Sequence, residues 1–480
     1  MLAIFMAAVE ATIVATAMPT IVSDLGGFGL FSWVFAAYLL AQAVSTPLYG
    51  RLADLYGRKP IFAAGAAVFL VGSAACGFTR SMLLLVIFRI FQGLGAGSIQ
   101  STAITIVGDI YMPNERARMQ GWLSAVWGIA AIAGPALGAS IVQHLHWAFV
   151  FWINLPIGIA AVAIIAAYLN ESVVRRPHRV DVLGSALLML GVGAILTAIV
   201  QAHGIEPPVA ISLLAVGVVA LALLVVCERR AAEPVVPFRM WNSRVMAIGN
   251  IGSLILGALL MCVVVFLPTY IQGVMARSAT VAGAIIAIHS LSWSVGSIVA
   301  GRVMTMTSYR TSGVAGALAL IAGTSLLVEL DHSSGLPHLA LAAVLVGLGM
   351  GFCNQTILVA VQSSVGWNER GVATASTLFL RTIGQTLGAG LGGAILNFGV
   401  AHVVAGSEPS INQLLDAAKR TNLAPETALH LTEAITTSLH NVYIIAGVLA
   451  VMTLAVMLII PGGMSPTRAP KNSSIRRHQR

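Results

Sequence analysis

The chain is a succession of long apolar runs separated by short polar breaks. An α-helix rises 1.5 Å per residue, so about 20 apolar residues cross a bilayer. Runs of that length fall at 1–21, 31–50, 61–78, 82–106, 119–143 and 147–169, then at 182–203 and 209–227. Six more follow at 245–271, 279–301, 312–330, 338–363, 371–399 and 438–460. The pattern predicts an all-α polytopic membrane protein with about fourteen transmembrane helices. The polar stretch 407–437 reads as short amphipathic helices lying at the surface.

The breaks differ in charge. Alternate ones carry Arg51, Arg58 and Lys59; Arg116 and Arg118; Arg175, Arg176 and Arg179; Arg229, Arg230, Arg239 and Arg244; Arg302 and Arg310; and Arg370. The C-terminal tail adds Arg468, Lys471, Arg476, Arg477 and Arg480, whereas the opposite breaks hold only Arg80, Arg277, Lys419 and Arg420. With an even number of helices, the positive-inside rule predicts that both termini are cytoplasmic. Arg89 and Arg381 lie inside predicted helices, and topology gives no reason for either.

Composition agrees with the pattern. Of 480 residues, 58% are hydrophobic and 9% charged, with a mean hydropathy of +0.91; a soluble domain carries about 25% charged residues. The net charge of +9 would suggest a nucleic-acid partner in a soluble chain. Here the basic residues sit in the breaks, without interleaved aromatics, which excludes that reading. Cys76, Cys227, Cys262 and Cys353 lack metal or disulfide spacing and read as small apolar core residues. The first run has no basic flank before it and many spans after it, so it reads as an uncleaved helix. HExxH, GxSxG and P-loop patterns are absent, which argues against an enzyme and against ATP as energy source.

A weak repeat runs through the chain. "MPTIV" at the end of the first run matches "LPTYI" at 267–271, "GR" at 50–51 matches 301–302, and "NER" at 114–116 matches 368–370. Gly134 and Gly138 pair with Gly388 and Gly392 in the same order. Two six-helix halves are implied, 1–169 and 245–463, the second with an extracellular amphipathic loop at 400–437. Between them, 170–244 supplies a basic linker and two inserted helices, and 464–480 is a basic cytoplasmic tail.

This architecture resembles the major facilitator superfamily, in particular its fourteen-helix drug:proton antiporter branch. "GRLADLYGRK" at 50–59 is similar to the superfamily's loop signature. Physically it is a latch: Gly50 and Gly57 let helix ends approach, Asp54 can cap a neighbouring helix, and Arg58 and Lys59 can pair with acids elsewhere. The plainer reading is a basic loop with a turn. "FRIFQGLGAGS" at 88–98 resembles a second signature through Arg89, Gln92, Gly93, Gly95 and Gly97. A buried arginine needs an acid or a water-filled space, and Glu10, midway along the first run, is the acid placed to meet it. The pair is either proton-coupling or a structural ion pair. "WGIAAIAGPALGAS" at 127–140 resembles the antiporter signature through Gly134, Pro135 and Gly138, with Ala130 and Ala139 where the pattern has glycine. Small residues and a proline there suit a sliding interface. "HWAFVFWINLPIG" at 146–158, with Trp147, Asn154 and Pro156, marks the branch, and Trp147 and Trp152 suit an aromatic belt.

The remaining candidates lie in the second half. Arg381, in "FLRTIGQTLGAG" at 379–390, can snorkel, pair with Glu369 or line a cavity. Asn354, Gln355 and Gln362, with Tyr38 and Gln42 in the first half, either hydrogen-bond a substrate or tie helices together. His289 either titrates or packs, and Glu329 and Asp331 sit near a helix end where solvation is easy. The resemblance implies a monomeric exporter in the cytoplasmic (inner) membrane that moves hydrophobic compounds, cationic ones included, in exchange for protons. A dedicated exporter of one lipid, siderophore or metabolite is the alternative. No cofactor is implied; the proton gradient is the energy source. Where the branch reads D-x-T-I-V-x-x-A-x-P, this chain reads "EATIVATAMP" at 10–19. The expectation is that Glu10, longer by one methylene, reaches further into the cavity, binds the proton and competes there with substrate.

Overall fold

A computed structural model describes residues 1–110, 113–169, 181–201, 205–230, 241, 243–330, 334–366, 369–401, 414 and 425–461. The first bundle comprises α1 (Leu2–Leu25), α2 (Trp33–Tyr56), α3 (Arg58–Phe78), α4 (Met82–Ile110), α5 (Pro113–His144) and α6, a turn at Phe149–Trp152 running into Asn154–Tyr168. Helices α7 (Val182–Val200) and α8 (Pro207–Arg230) follow. The second bundle comprises α9 (Arg244–Val264), α10 (Ala279–Met306), α11 (Tyr309–Val328), α12 (Leu336–Ser363), α13 (Arg370–Ala401) and α14 (Pro425–Ile459). Thirteen of these spans are both long and apolar enough to cross a membrane. The fourteenth, α13, has the length but is interrupted by Arg381, Gln385 and several threonines.

The two bundles repeat one packing scheme. α1 lies on α5 as α9 lies on α13; α2 crosses α4 as α10 crosses α12; and α3 and α11 flank α4 and α12. The contacts between bundles repeat too, α2 against α13 and α5 against α10. Individual atoms obey the same relation. A Cβ on Gly93 of α4 would strike the backbone carbonyl of Tyr38 in α2, and one on Gly347 of α12 would strike that of His289 in α10. A Cβ on Gly134 would meet the carbonyl of Val9, and one on Gly388 that of Ala258. These contacts expose a repeat that the earlier matches miss: "GLGAG" at 93–97 and "GLGMG" at 347–351 are equivalent. Close backbone approach is how membrane helices associate when lipid is as apolar as leucine, so the glycines set the geometry of both halves.

Helices α7 and α8 form a hairpin whose first member leans on α2 and α13, at the seam between bundles. The bundles close on each other at the end opposite the start of α1 and the end of α14. There the Phe31 and Phe266 rings lie 5.8 Å apart, Asn397 Nδ2 donates to Gly29 O at 2.8 Å, and Gln272 Nε2 donates to Thr16 O at 3.3 Å.

Two elements depart from expectation. The run 245–271 is not one helix: α9 stops at Val264, a turn forms at Leu267–Thr269 around Pro268, and a π-helical turn follows at Tyr270–Val274. Proline lacks the N–H that would continue the ladder, yet its repeat mate Pro19 stays inside α1. The surface helices expected at 407–437 fall partly outside the described residues, and from Pro425 the chain is already in α14. The "NER" side chains at 114–116 also lie outside them, as does Asn368.

Gly93→Ala and Gly347→Ala are each expected to destabilise the protein by about 1–3 kcal/mol, the usual effect of overpacking. Melting temperatures of the purified variants in one detergent measure this. Two variants as stable as the parent would mean that the helices stand further apart.

Candidate functional site

Within the first bundle one polar network is sealed from solvent. Glu10 (0% exposed) on α1 and Arg89 (2% exposed) on α4 form an ion pair through Oε1 and Nη1. The second Glu10 oxygen, Oε2, accepts from Asn154 Nδ2 of α6 at 2.6 Å. Arg89 Nη1 also donates to Gln92 Oε1 at 2.7 Å, and Nε donates to Val34 O of α2 at 3.0 Å. The Tyr38 ring covers the guanidinium at 4.0 Å. Ser73 of α3 ties the network together. Its hydroxyl accepts from Gln92 Nε2 and Asn154 Nδ2, each at 3.0 Å, and donates to Phe151 O at 2.8 Å. Helices α1, α2, α3, α4 and α6 thus all contribute to one buried charge pair.

The energetics follow from burial. Two charges withdrawn from water are compensated only when geometry is good and their remaining donors and acceptors are satisfied; removing one partner then costs about 3–5 kcal/mol. Tyr38 belongs to this network rather than to a substrate cavity. Glu10 likewise does not reach into an open cavity: its extra methylene carries it to Arg89 and Asn154 inside the bundle.

The antiporter-like helix α5 lies between α1 and α10. Gly134 and Gly138 bring it against Thr12 and Ile13 of α1, and Gly283 of α10 faces the Pro135 carbonyl, with a Cβ there 2.7 Å from the oxygen. Ala130 and Ala139 are buried, so small volume suffices where the family has glycine.

The described contacts of the loop motif lie around the turn between α2 and α3. Asp54 of α2 does not cap α3; it pairs across the turn with Arg58, the first residue of α3, at 3.0 Å. Lys59 Nζ donates to Leu169 O at 3.3 Å. These contacts join α2, α3 and α6 of one bundle. Gly57 is needed for its backbone, φ 101°, which turns the chain directly from α2 into α3. Among the described residues, nothing lies within 4 Å of where a Gly50 Cβ would be.

In the second bundle Arg381 is half-buried on α13. Its Nη1 donates to Asn354 Oδ1 of α12 at 3.1 Å, and its buried Nε has no partner. Among the described residues it forms no ion pair, with Glu369 or any other acid. Gln355 is half-buried next to Asn354. Gln42 bonds Gln100 at 2.9 Å and Gln362 bonds Thr374 at 3.1 Å, so both tie helices together. His289 is buried edge-on to Trp293. Glu329 closes α11, and Asp331 lies outside the described residues. Trp147 Nε1 donates to Asp24 at 2.6 Å, joining two turns at the closed end.

Sequence reasoning missed Ser73 and the role of Asn154. Both are neutral polar residues in apolar runs, and nothing in sequence says whether such a residue faces an ion pair or another helix.

Two pseudo-equivalent six-helix bundles, with a charge pair inside one and a lone arginine in the other, define a membrane transporter of the two-bundle class. A sequence profile of the Major Facilitator Superfamily matches residues 1–389. The chain belongs to that superfamily. It is 34% identical to Multidrug resistance protein 3 of Bacillus subtilis over 82% of this chain and 78% of that one. It is 33% identical to Multidrug transporter protein MdtP of the same organism, over 82% and 74%. An Acurin A biosynthesis cluster MFS-type transporter of Aspergillus aculeatus is 32% identical over 82% and 74%. Among solved structures, a bacterial homolog of the human lysosomal transporter Spinster, inward-facing and unoccupied, superposes with a TM-score of 0.70 at 14% identity, covering 97% of each chain. A D-xylose-proton symporter does so at 0.64 and 12%, covering 96% of each.

Arg89→Met leaves Glu10 as a lone buried charge and is expected to destabilise by about 3–5 kcal/mol. Adding Glu10→Met should recover part of that loss, and melting temperatures of both single variants and the double variant measure it. Strictly additive losses would show that the two side chains are not coupled.

Proposed function

We propose that this chain exports hydrophobic compounds in exchange for protons, with Glu10 as the proton-binding acid and Arg89 as its charge partner. One observation carries the reading: Glu10, sealed in its pair with Arg89, sits on α1, which packs against α5, and α5 itself touches the opposite bundle. A proton on Glu10 removes the negative half of the pair, so Arg89 loses its counter-charge and the packing of α1, α4 and α6 changes with it. Because the acid is sealed, proton and substrate compete through conformation rather than by sharing one space.

The excess of basic residues in alternate breaks supports cytoplasmic termini in an inner membrane. The closed end then faces outward, and Gly50, Asp54, Gly57, Arg58 and Lys59 lie on the cytoplasmic side, where they act as a latch in the exchange of states. The relatives' names support export of several compounds, and the biosynthesis-cluster relative supports the alternative of one metabolite. The cationic part of the expected substrate range finds no free acid in mid-membrane among the described residues.

Reconstituted protein under an imposed pH gradient is expected to drive efflux of lipophilic dyes, and Glu10→Gln to abolish the gradient-driven component while dye still equilibrates. Initial rates with and without the gradient measure it. Undiminished gradient-driven efflux by Glu10→Gln would overturn the role given to this acid.

A further inference from the structure

Two arginines lie in the middle of spanning helices, and the structure treats them oppositely. Arg89 has a carboxylate, a side-chain amide, a backbone carbonyl and an aromatic face. Among the described residues Arg381 has a single, neutral partner, Asn354 Oδ1. That bond occupies Nη1 and leaves Nε and Nη2, the side-on edge of a guanidinium that grips a carboxylate with two parallel hydrogen bonds. Nε is buried and orphaned, a costly arrangement unless something fills it. A mid-helix guanidinium faces protein or a water-filled space, not lipid. Arg381 and Asn354 are each partly exposed, and α13, which carries the arginine, also packs against α2 of the first bundle.

The charge balance points the same way. Glu10 and Arg89 cancel, so Arg381 is the uncompensated mid-membrane charge among the described residues, and in a low-dielectric setting its sign selects against cations. We propose that Arg381 and Asn354 form a subsite that holds the carboxylate or sulfonate of an anionic amphiphile, Arg381 through its side-on edge and Asn354 by fixing the guanidinium plane. The proposal rests on the export reading above and narrows its substrate class.

The test is a binding titration of the purified full-length protein with a dansyl-labelled fatty acid and, separately, its methyl ester. The parent is expected to prefer the acid by about tenfold or more, as the loss of a charge-assisted hydrogen-bond pair implies. Arg381→Gln is expected to remove the preference. Arg381→Lys keeps the charge without the side-on edge and should retain only part of it. This second variant decides the matter if the first does not fold. A parent without preference, or a preference that survives both substitutions, overturns the proposal. Binding is read without a pH gradient, which separates the two hypotheses. Discrimination of acid from ester without gradient-driven efflux would sink the antiport reading and leave the subsite. Gradient-driven efflux without discrimination would sink the subsite alone.

Discussion

A carboxylate and a guanidinium placed together in a bilayer interior force the structure around them. Each ion loses several kcal/mol of hydration, and only complete coordination recovers it. Five helices supply that coordination here, down to the Val34 backbone carbonyl and the Ser73 hydroxyl. The packing of the first bundle is therefore tied to the charge state of one acid. If the charge changes, the side chains of α3, α4 and α6 have lost the reason for their arrangement. The adjoining α1–α5 contact, with no Cβ at Gly134, leaves no slack between the acid's helix and the helix that meets the other bundle. Spatial continuity of this kind is a route for coupling; proton-driven efflux measurements, not proximity, establish its use.

The second bundle keeps the backbone of this design and discards its chemistry. By the repeat, Glu10 corresponds to Leu259, Arg89 to Ala343, Gln92 to Val346 and Tyr38 to His289. Leu259, Ala343 and Val346 are all buried and apolar. The glycine contacts nevertheless persist, because they set interhelical distance whatever lies beside them. One half thus carries a closed ionic network, while the other presents an arginine with donors to spare at a position where the first half has Trp127.

Much of this was legible in the sequence. Hydropathy located the fourteen helices because each must satisfy its own backbone in lipid. Glu10 and Arg89 were paired because two opposite charges at membrane depth have few other solutions. What escaped has a physical reason in each case. Pro19 and Pro268 are repeat mates, yet only the second ends its helix, since a missing N–H permits a break without forcing one. Asp54 does reach the neighbouring helix α3, but it meets the Arg58 guanidinium instead of capping the backbone N–H groups, because the arginine stands four residues away at the very start of that helix. Arg381 was left among three fates because Asn354 is neutral, and hydropathy attaches no geometry to an amide.

The sign of the mid-membrane charge constrains how exchange can work. A cationic substrate and a proton repel, so charge alone could keep them from sharing a transporter. An anionic substrate at Arg381 and a proton on Glu10 attract, and charge alone would favour joint occupancy. Antiport of an anion must therefore be enforced by conformation. The architecture offers the means: Arg381 lies on α13, which packs against α2 of the first bundle, and α2 supplies both the carbonyl and the ring that hold Arg89. A helix shared between the two arginines allows occupancy of one site to disfavour the arrangement that the other requires, without any direct contact between substrate and proton.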